Sequence, residues 1–220
     1  MTAWGDPDRH ARARRRMVER LRAAGLRDAR VAEALGQVAR HSLIPEALRH
    51  RAYDDVPLPI GERQTISAPH VVARMTEALG LGGEETVLEV GTGSAYQAAV
   101  LARLAARVVS IERIPALANR ARSALDALGV TNVIVHLGDG TRGWPALAPY
   151  DAIVVTAGGP DVPPPLLAQL APGGRLVGPF GARGAQELVR VSRDAAGRLW
   201  AESLGPCRFV DLVGEHGWAA

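Results

Sequence analysis

The sequence predicts an α/β protein: a doubly wound, mostly parallel seven-stranded sheet with an antiparallel edge, behind an N-terminal helical cap. Three observations carry this prediction. Short apolar runs alternate with longer amphipathic ones from about residue 86 onward, the texture of repeated strand–helix–strand units. One such run, Val87 to Val90, passes through Gly91-Thr92-Gly93 into a helix that starts near Tyr96. Glycines at a helix N-terminus leave backbone N–H groups open to a nucleotide-like ligand. The first 80 residues lack this alternation and read as helices joined by proline-bearing extended chain.

Residues 1–7 read as a frayed terminus. A first helix starts near Asp8, with Met17, Val18, Leu21 and Ala24 on one face, and Gly25 stops it. Arg14-Arg15-Arg16 falls on the opposite, solvated face. Asp28 is a natural N-cap for a second helix whose buried stripe is Val31, Leu35 and Val38. A third, short helix runs from Ile44-Pro45 to about Arg51. Two prolines keep Tyr53 to Gly61 extended, and a polar loop from Glu62 to His70 follows. Pro69 opens a helix carrying Val71, Val72, Met75 and Leu79, closed by Gly80. Beyond Gly82-Gly83, strands are expected at 86–90, 107–111, 132–136, 151–155 and 175–178. Helices are expected near 96–106, 115–128 and 163–171, and a hairpin from 186–193 and 198–205. The result is a Rossmann-like domain, residues 81–220, packed as one unit with a cap of residues 1–80.

Composition removes several functions. The 220 residues, 47% hydrophobic and 22% charged, suit one α/β domain with a modest extension. No apolar run approaches the roughly 20 residues of a membrane span. No apolar segment follows the arginine-rich start, so no secretory signal is expected and the cytoplasm is the expected compartment. Cys207 is the only cysteine, which excludes an internal disulfide and a cysteine-based metal site. All 26 basic residues are arginine, so Schiff-base chemistry and a phosphate-loop lysine are excluded. With a net charge of +3, a lone arginine-rich turn is a weak case for nucleic acid, and no such stable partner is expected.

The glycine spacing departs from the dinucleotide pattern, because Tyr96 stands where a third glycine is needed. Glu89 lies inside the strand, two residues before Gly91. A carboxylate there repels a pyrophosphate and favours a cation, which suits the sulfonium and ammonium of S-adenosyl-L-methionine. Glu112, at the end of the next strand, is placed to accept from both ribose hydroxyls, as the acid of an NAD site also is. Asp139, between two glycines, either accepts from an adenine amino group or shapes a turn.

Val87-Leu-Glu-Val-Gly-Thr-Gly-Ser-Ala-Tyr-Gln-Ala-Ala-Val100 resembles the cofactor loop of the protein-L-isoaspartate O-methyltransferase family. So do Ser110-Ile-Glu-Arg113, Gly138-Asp-Gly140, Tyr150-Asp-Ala-Ile-Val-Val-Thr156 and Pro172-Gly-Gly-Arg-Leu-Val177, segments shared with many class I methyltransferases. Leu58-Pro-Ile-Gly-Glu-Arg-Gln-Thr-Ile-Ser-Ala-Pro-His70 is similar to that family's substrate loop in particular. The resemblance runs from about Met17 to Glu215. It implies cofactor contacts at Glu89, Gly91, Thr92, Gly93, Ser94, Tyr96, Gln97, Glu112, Arg113, Asp139, Gly140 and Thr156. It also implies that Thr65 and Ser67 face the substrate carboxyl, with Ser67 Oγ donating a hydrogen bond that orients it. Arg63, Ile66, His70 and Val210 would complete the substrate site. The residues alone leave Ser67 open as a helix cap and His70 open as a solvated first-turn histidine.

The substrate so implied is an isoaspartyl residue in a damaged protein or peptide, laid along 58–67 and 209–213, and the enzyme is expected to be a monomer. Three residues depart from the family pattern. Ala95 replaces a glycine and is tolerable if its φ is negative; Arg63 replaces another glycine; Asp211 replaces a proline. Rival readings are methylation of aspartate in a ribosomally made peptide to form a succinimide, a non-catalytic RNA-binding module, and an NAD-dependent oxidoreductase.

Overall fold

The computed structural model describes residues 7–219. The terminus expected to fray lies outside the described residues except for Pro7, which opens α1 (Pro7–Ala23). α1 buries Met17 and Leu21 and ends before Gly25, whose φ of 113° suits only glycine. Arg14 corrects one expectation: it is half-buried and hydrogen-bonds Tyr53, while Arg15 and Arg16 are exposed. α2 (Ala29–Gln37) starts at Asp28, whose carboxylate accepts from the N–H groups of Arg30 and Val31. Two 3₁₀ segments follow, Arg40–Leu43 and Glu46–Arg51, and the second takes the place of the expected third helix. The second buries none of its residues, so no apolar stripe supports a regular α-helix there.

The end of the expected extended stretch and the start of the expected polar loop pair as a β-hairpin, β1 (Leu58–Gly61) with β2 (Gln64–Ile66). Glu62 and Arg63 form its two-residue turn with φ of 52° and 56°, as a type I′ turn requires. That turn ordinarily advertises itself through Asn-Gly, and Glu-Arg hides it. α3 (Pro69–Leu79) has proline at its first position and ends at Gly80 in the left-handed region.

The main sheet holds β3 (Thr86–Val90), β4 (Arg107–Glu112), β5 (Val133–Leu137), β6 (Tyr150–Val155), β7 (Leu170–Ala182), β8 (Ala185–Arg193) and β9 (Leu199–Cys207). Its order is β5-β4-β3-β6-β7-β8-β9, parallel through β7 and antiparallel beyond. Helices α4 (Tyr96–Leu101), α5 (Pro115–Ala127) and α6 (Pro164–Ala168) cover its faces. α6 is shorter than expected because β7 begins at Leu170, before the Pro172-Gly-Gly turn; Leu170 already pairs with Tyr150. The chain runs outward from β3 through β4 to β5, then returns to β6 on the other side of β3. Such a reversal opens a crevice at the carboxyl ends of the strands.

Side chains along β3 alternate between two cores. Val87 packs with the cap residues Met17, Leu35 and Met75, so cap and sheet share one hydrophobic cluster. Leu88 and Val90 face the other cluster, with Ile153 and Leu176. The cap also reaches the site through Arg40, which is fully buried. Its Nε donates to the Ala52 carbonyl at 2.8 Å, and its guanidinium lies 4.7 Å from the centre of the Tyr96 ring. Burial lowers the Arg40 pKa to about 10.

Candidate active site

A cavity of about 330 Å³ opens at the carboxyl ends of β3, β4 and β6. Its floor is the turn after β3. Gly91 has a φ of 97°, and a Cβ there would collide with Thr156 Oγ1, which donates to the Gly91 carbonyl at 2.5 Å. A Cβ at Gly140 would collide with Val90. Both glycines are therefore required by close approach of the chain, and both line the cavity.

Glu112 stands at the rim with both carboxylate oxygens held. Oε2 accepts the Gly93 N–H and Oε1 the Ile114 N–H, each at 2.9 Å. Each oxygen keeps a second lone pair, so the fixed carboxylate still accepts from hydroxyls. Gln97 donates through Nε2 to Thr76 Oγ1 at 2.9 Å, and Thr76 donates to the Val72 carbonyl at 2.7 Å. Gln97 Oε1 is buried in the same wall without a donor among the described residues. An orphaned buried acceptor calls for a donor from outside the chain, such as an ammonium group. This donor set and the glycine cradle fit a nucleoside joined to an amino acid. Thr92, Ser94, Tyr96 and Arg113 complete the expected cofactor wall.

Two expected cofactor residues stand elsewhere. Glu89 is fully buried beneath the floor, on the α4 face of β3, and does not line the cavity. Desolvation raises its pKa to about 8; hydrogen bonds from Ser110 and the Ala98 N–H oppose the rise, while Glu112 adds to it. Ser110 Oγ donates to Glu89 Oε2, and the Ser110 and Thr92 hydroxyls are 2.5 Å apart. At neutral pH the group is a neutral acid, so the expected charge attraction to a sulfonium does not operate from this position. Asp139 takes the turn role. Its Oδ1 accepts the Thr141 N–H at 2.9 Å and hydroxyl at 2.7 Å, and its Oδ2 the Glu215 N–H at 2.8 Å. Burial raises the Asp139 pKa, but these donors outweigh it and the net shift is downward.

The hairpin and the start of α3 bring Arg63, Thr65, Ile66 and Ser67 to the opposite wall, and Val210 closes it. Ser67 is not the helix cap. Ala68 occupies the N-cap position and no side chain caps it; Asp55 takes the His70 N–H at 2.9 Å instead. The Ser67 hydroxyl, half-buried, is left without a hydrogen bond among the described residues. His70 is exposed, with Nδ1 2.9 Å from Asp55 Oδ1, and lies off the first cavity. It lines a second cavity of about 540 Å³ that shares Thr65, Ser67, Thr156 and Val210 with the first.

Ala95 sits at φ 67°, ψ 11°, in the left-handed region, which corrects the condition on which its tolerance rested. Sequence reasoning missed Val72 and Met75 as site residues because their helical spacing reads as core; both line the first cavity. Leu212 and Val213, from the expected 209–213 segment, also line the first cavity and are carried by a carboxyl-terminal strap. The strap is tied down by backbone bonds of 2.7 and 2.8 Å between Gly158 and the Val210–Leu212 segment, and by Trp218 Nε1 on the Gly158 carbonyl at 2.8 Å. Asp211, in place of the expected proline, pairs with Arg183 at 2.9 Å, and Arg183 lies over the Trp218 ring. Among the described residues no helix is long and apolar enough to cross a membrane.

Comparison with known proteins gives the family. Residues 12–217 match the profile of the protein-L-isoaspartate(D-aspartate) O-methyltransferase (PCMT) family. The chain is 55% identical over 215 residues to a protein-L-isoaspartate O-methyltransferase of Syntrophus aciditrophicus, covering 96% of this chain and 99% of the relative. It is 53% identical to one from Methanoculleus marisnigri, covering 97% and 96%. A solved protein-L-isoaspartate O-methyltransferase superposes with a TM-score of 0.83 at 30% identity, over 93% of this chain and 67% of that one. A Plasmodium falciparum structure described as a beta-aspartate methyltransferase (PCMT), in complex with S-adenosyl-L-homocysteine, superposes with a TM-score of 0.78 at 25% identity, over 91% and 98%. The chain belongs to the protein-L-isoaspartate(D-aspartate) O-methyltransferase family.

Proposed function

We propose that the protein is a repair methyltransferase that moves a methyl group from S-adenosyl-L-methionine to the α-carboxyl of L-isoaspartyl residues in damaged proteins and peptides. The observation that carries this reading is the shared wall of the two cavities, where the Ser67 hydroxyl is claimed by no other group among the described residues. Glu112 would hold ribose hydroxyls, Gln97 Oε1 an ammonium group, and the Gly91–Gly93 turn the chain between them. When bound, S-adenosyl-L-methionine supplies an electrophilic methyl group on a positively charged sulfur.

The acceptor needs no general base, because a carboxylate near pKa 4 is ionised at neutral pH. Neither Glu89, sealed under the floor, nor His70, turned to Asp55, is required to take a proton. Ser67 Oγ donates to one oxygen of the substrate carboxylate and leaves the other to attack in line. Arg63 draws the carboxylate toward the hairpin. Val72, Met75, Ile66 and Val210 keep the reacting groups in a water-poor space. Alignment of this kind lowers the barrier by several kcal/mol. The resulting ester carries a better leaving group than the carboxylate, so the neighbouring backbone nitrogen attacks its carbonyl, expels methanol and closes a succinimide, which water reopens partly as normal aspartate.

We also place the enzyme in the cytoplasm, as a monomer with no nucleic-acid partner; the inward turn of Arg14, which removes one charge from the arginine-rich face, supports the last point. The reading is tested by incubating the protein with labelled S-adenosyl-L-methionine and an isoaspartyl peptide, then locating the label by mass spectrometry. A base-labile ester on the isoaspartyl α-carboxyl that decays to a succinimide supports it. Label elsewhere, or none, overturns it.

A further inference from the structure

Ser67 looks into both cavities, and the second is chemically lopsided. Its lining contains Arg74 and Arg208 and no carboxylate. Both arginines are exposed, and neither has an ion-pair or hydrogen-bond partner among the described residues. Elsewhere on the carboxyl-terminal strands and their turns, Arg183, Arg190 and Arg198 each sit on an acid. The third basic residue at this cavity, His70, is turned to Asp55.

Arg74 also has space left for it by a glycine. Its Nη2 lies 3.3 Å from where a Cβ of Gly205 would stand, and Gly205 has a φ of 104°, so the end of β9 makes room for the guanidinium. Val71, Leu188 and Phe209 give the same cavity an apolar part. A guest that fits has an apolar stem and an anionic tip.

Resting on the repair reading above, we infer that Arg74 and Arg208 select isoaspartyl substrates in which a neighbouring residue is acidic, glutamate above all, with that side chain in the second cavity. The isoaspartyl carboxyl stays at Ser67 on the shared wall, and the neighbour reaches the arginines. Two partly exposed charge pairs of this kind are worth about fivefold in kcat/KM at low ionic strength, chiefly through KM, and the gain shrinks as salt is added.

The test uses isoaspartyl peptides identical except for Glu, Gln or Arg, placed in turn on either side of the isoaspartyl residue, and the full-length protein. Wild type is expected to favour Glu over Gln by about fivefold at one of these positions, and to favour Arg least. Arg74→Gln with Arg208→Gln should abolish the Glu-to-Gln ratio. Arg74→Glu should reverse the order toward the Arg peptide, a gain that misfolding cannot produce. Equal rates on all the isoaspartyl peptides, or a ratio that survives in the double variant, would overturn the inference and leave the repair reading standing. Methylation of none of the peptides by wild type would overturn both.

Discussion

Replacing Arg63 by glycine should stabilise the protein, and replacing Ala95 by glycine should not, although both residues occupy the left-handed region at φ 56° and 67°. An L-residue there costs about 1–2 kcal/mol. Glycine removes that cost but restores unfolded-state freedom worth about 0.4–1 kcal/mol. Arg63 is exposed and without a partner among the described residues, so little else changes and the net gain is about 0.5–1 kcal/mol. Ala95 is fully buried beside the glycine turn, and deleting its methyl costs about 0.8 kcal/mol more. Its net is close to zero. For a chain of this size Arg63→Gly should raise Tm by about 1–4 °C and Ala95→Gly should leave it within about 1 °C. Scanning calorimetry of both variants beside wild type reads the difference. A lower Tm for Arg63→Gly, or a larger rise for Ala95→Gly than for Arg63→Gly, would refute the assignment of strain and burial.

Ser67→Ala should lower kcat/KM for an isoaspartyl peptide by about 10- to 100-fold, the worth of one hydrogen bond to a charged group. Affinity for S-adenosylhomocysteine should stay within about twofold by calorimetry; unchanged turnover would remove Ser67 from the reaction. Glu89 holds its proton in the fold up to about pH 8, while the unfolded chain releases it near 4.5. Folding stability should therefore fall as pH rises between those values, since the unfolded state binds fewer protons there. Glu89→Gln should flatten that slope in denaturant titrations, and an identical slope in the variant would show that Glu89 is ionised in the fold. Asp139 has the opposite sign: its depressed pKa gives stability that is present above about 3.8 and lost as pH falls through the folded value. Asp139→Ala should cost about 1–2 kcal/mol and speed amide exchange at Glu215, whose N–H it accepts; unchanged protection there would mean that the strap is held by other bonds.

The half of the cavity proposed to hold the cofactor is legible in the sequence because its position follows from strand, glycine turn and helix in succession. Gly91, Gly93, Tyr96, Gln97 and Glu112 all reach the cavity from that pattern. Glu89 was misplaced for a physical reason. β3 is buried on both faces, so its apolar residues give no sign of which face the acid takes, and period-two alternation carries it under the floor. Asp139 shows the limit of residue type alone, since Asp-Gly serves a turn and a ligand equally well, and only the Glu215 N–H, 76 residues away in sequence, decides between them. The hairpin at Glu62-Arg63 was hidden because its turn lacks the residues that its φ values favour. The 209–213 segment was expected at the site through resemblance, but what holds it was unreadable for a similar reason: long-range backbone bonds keep it in place, and no local propensity marks them.

The central claim is that the wall around Ser67 selects an isoaspartyl carboxyl. The most direct measurement compares initial rates of methyl transfer to an isoaspartyl peptide and to its normal aspartyl twin, under one set of conditions. The account predicts turnover of the isoaspartyl peptide and none detectable above background for the twin. Equal methylation of both peptides, or of neither, would contradict it.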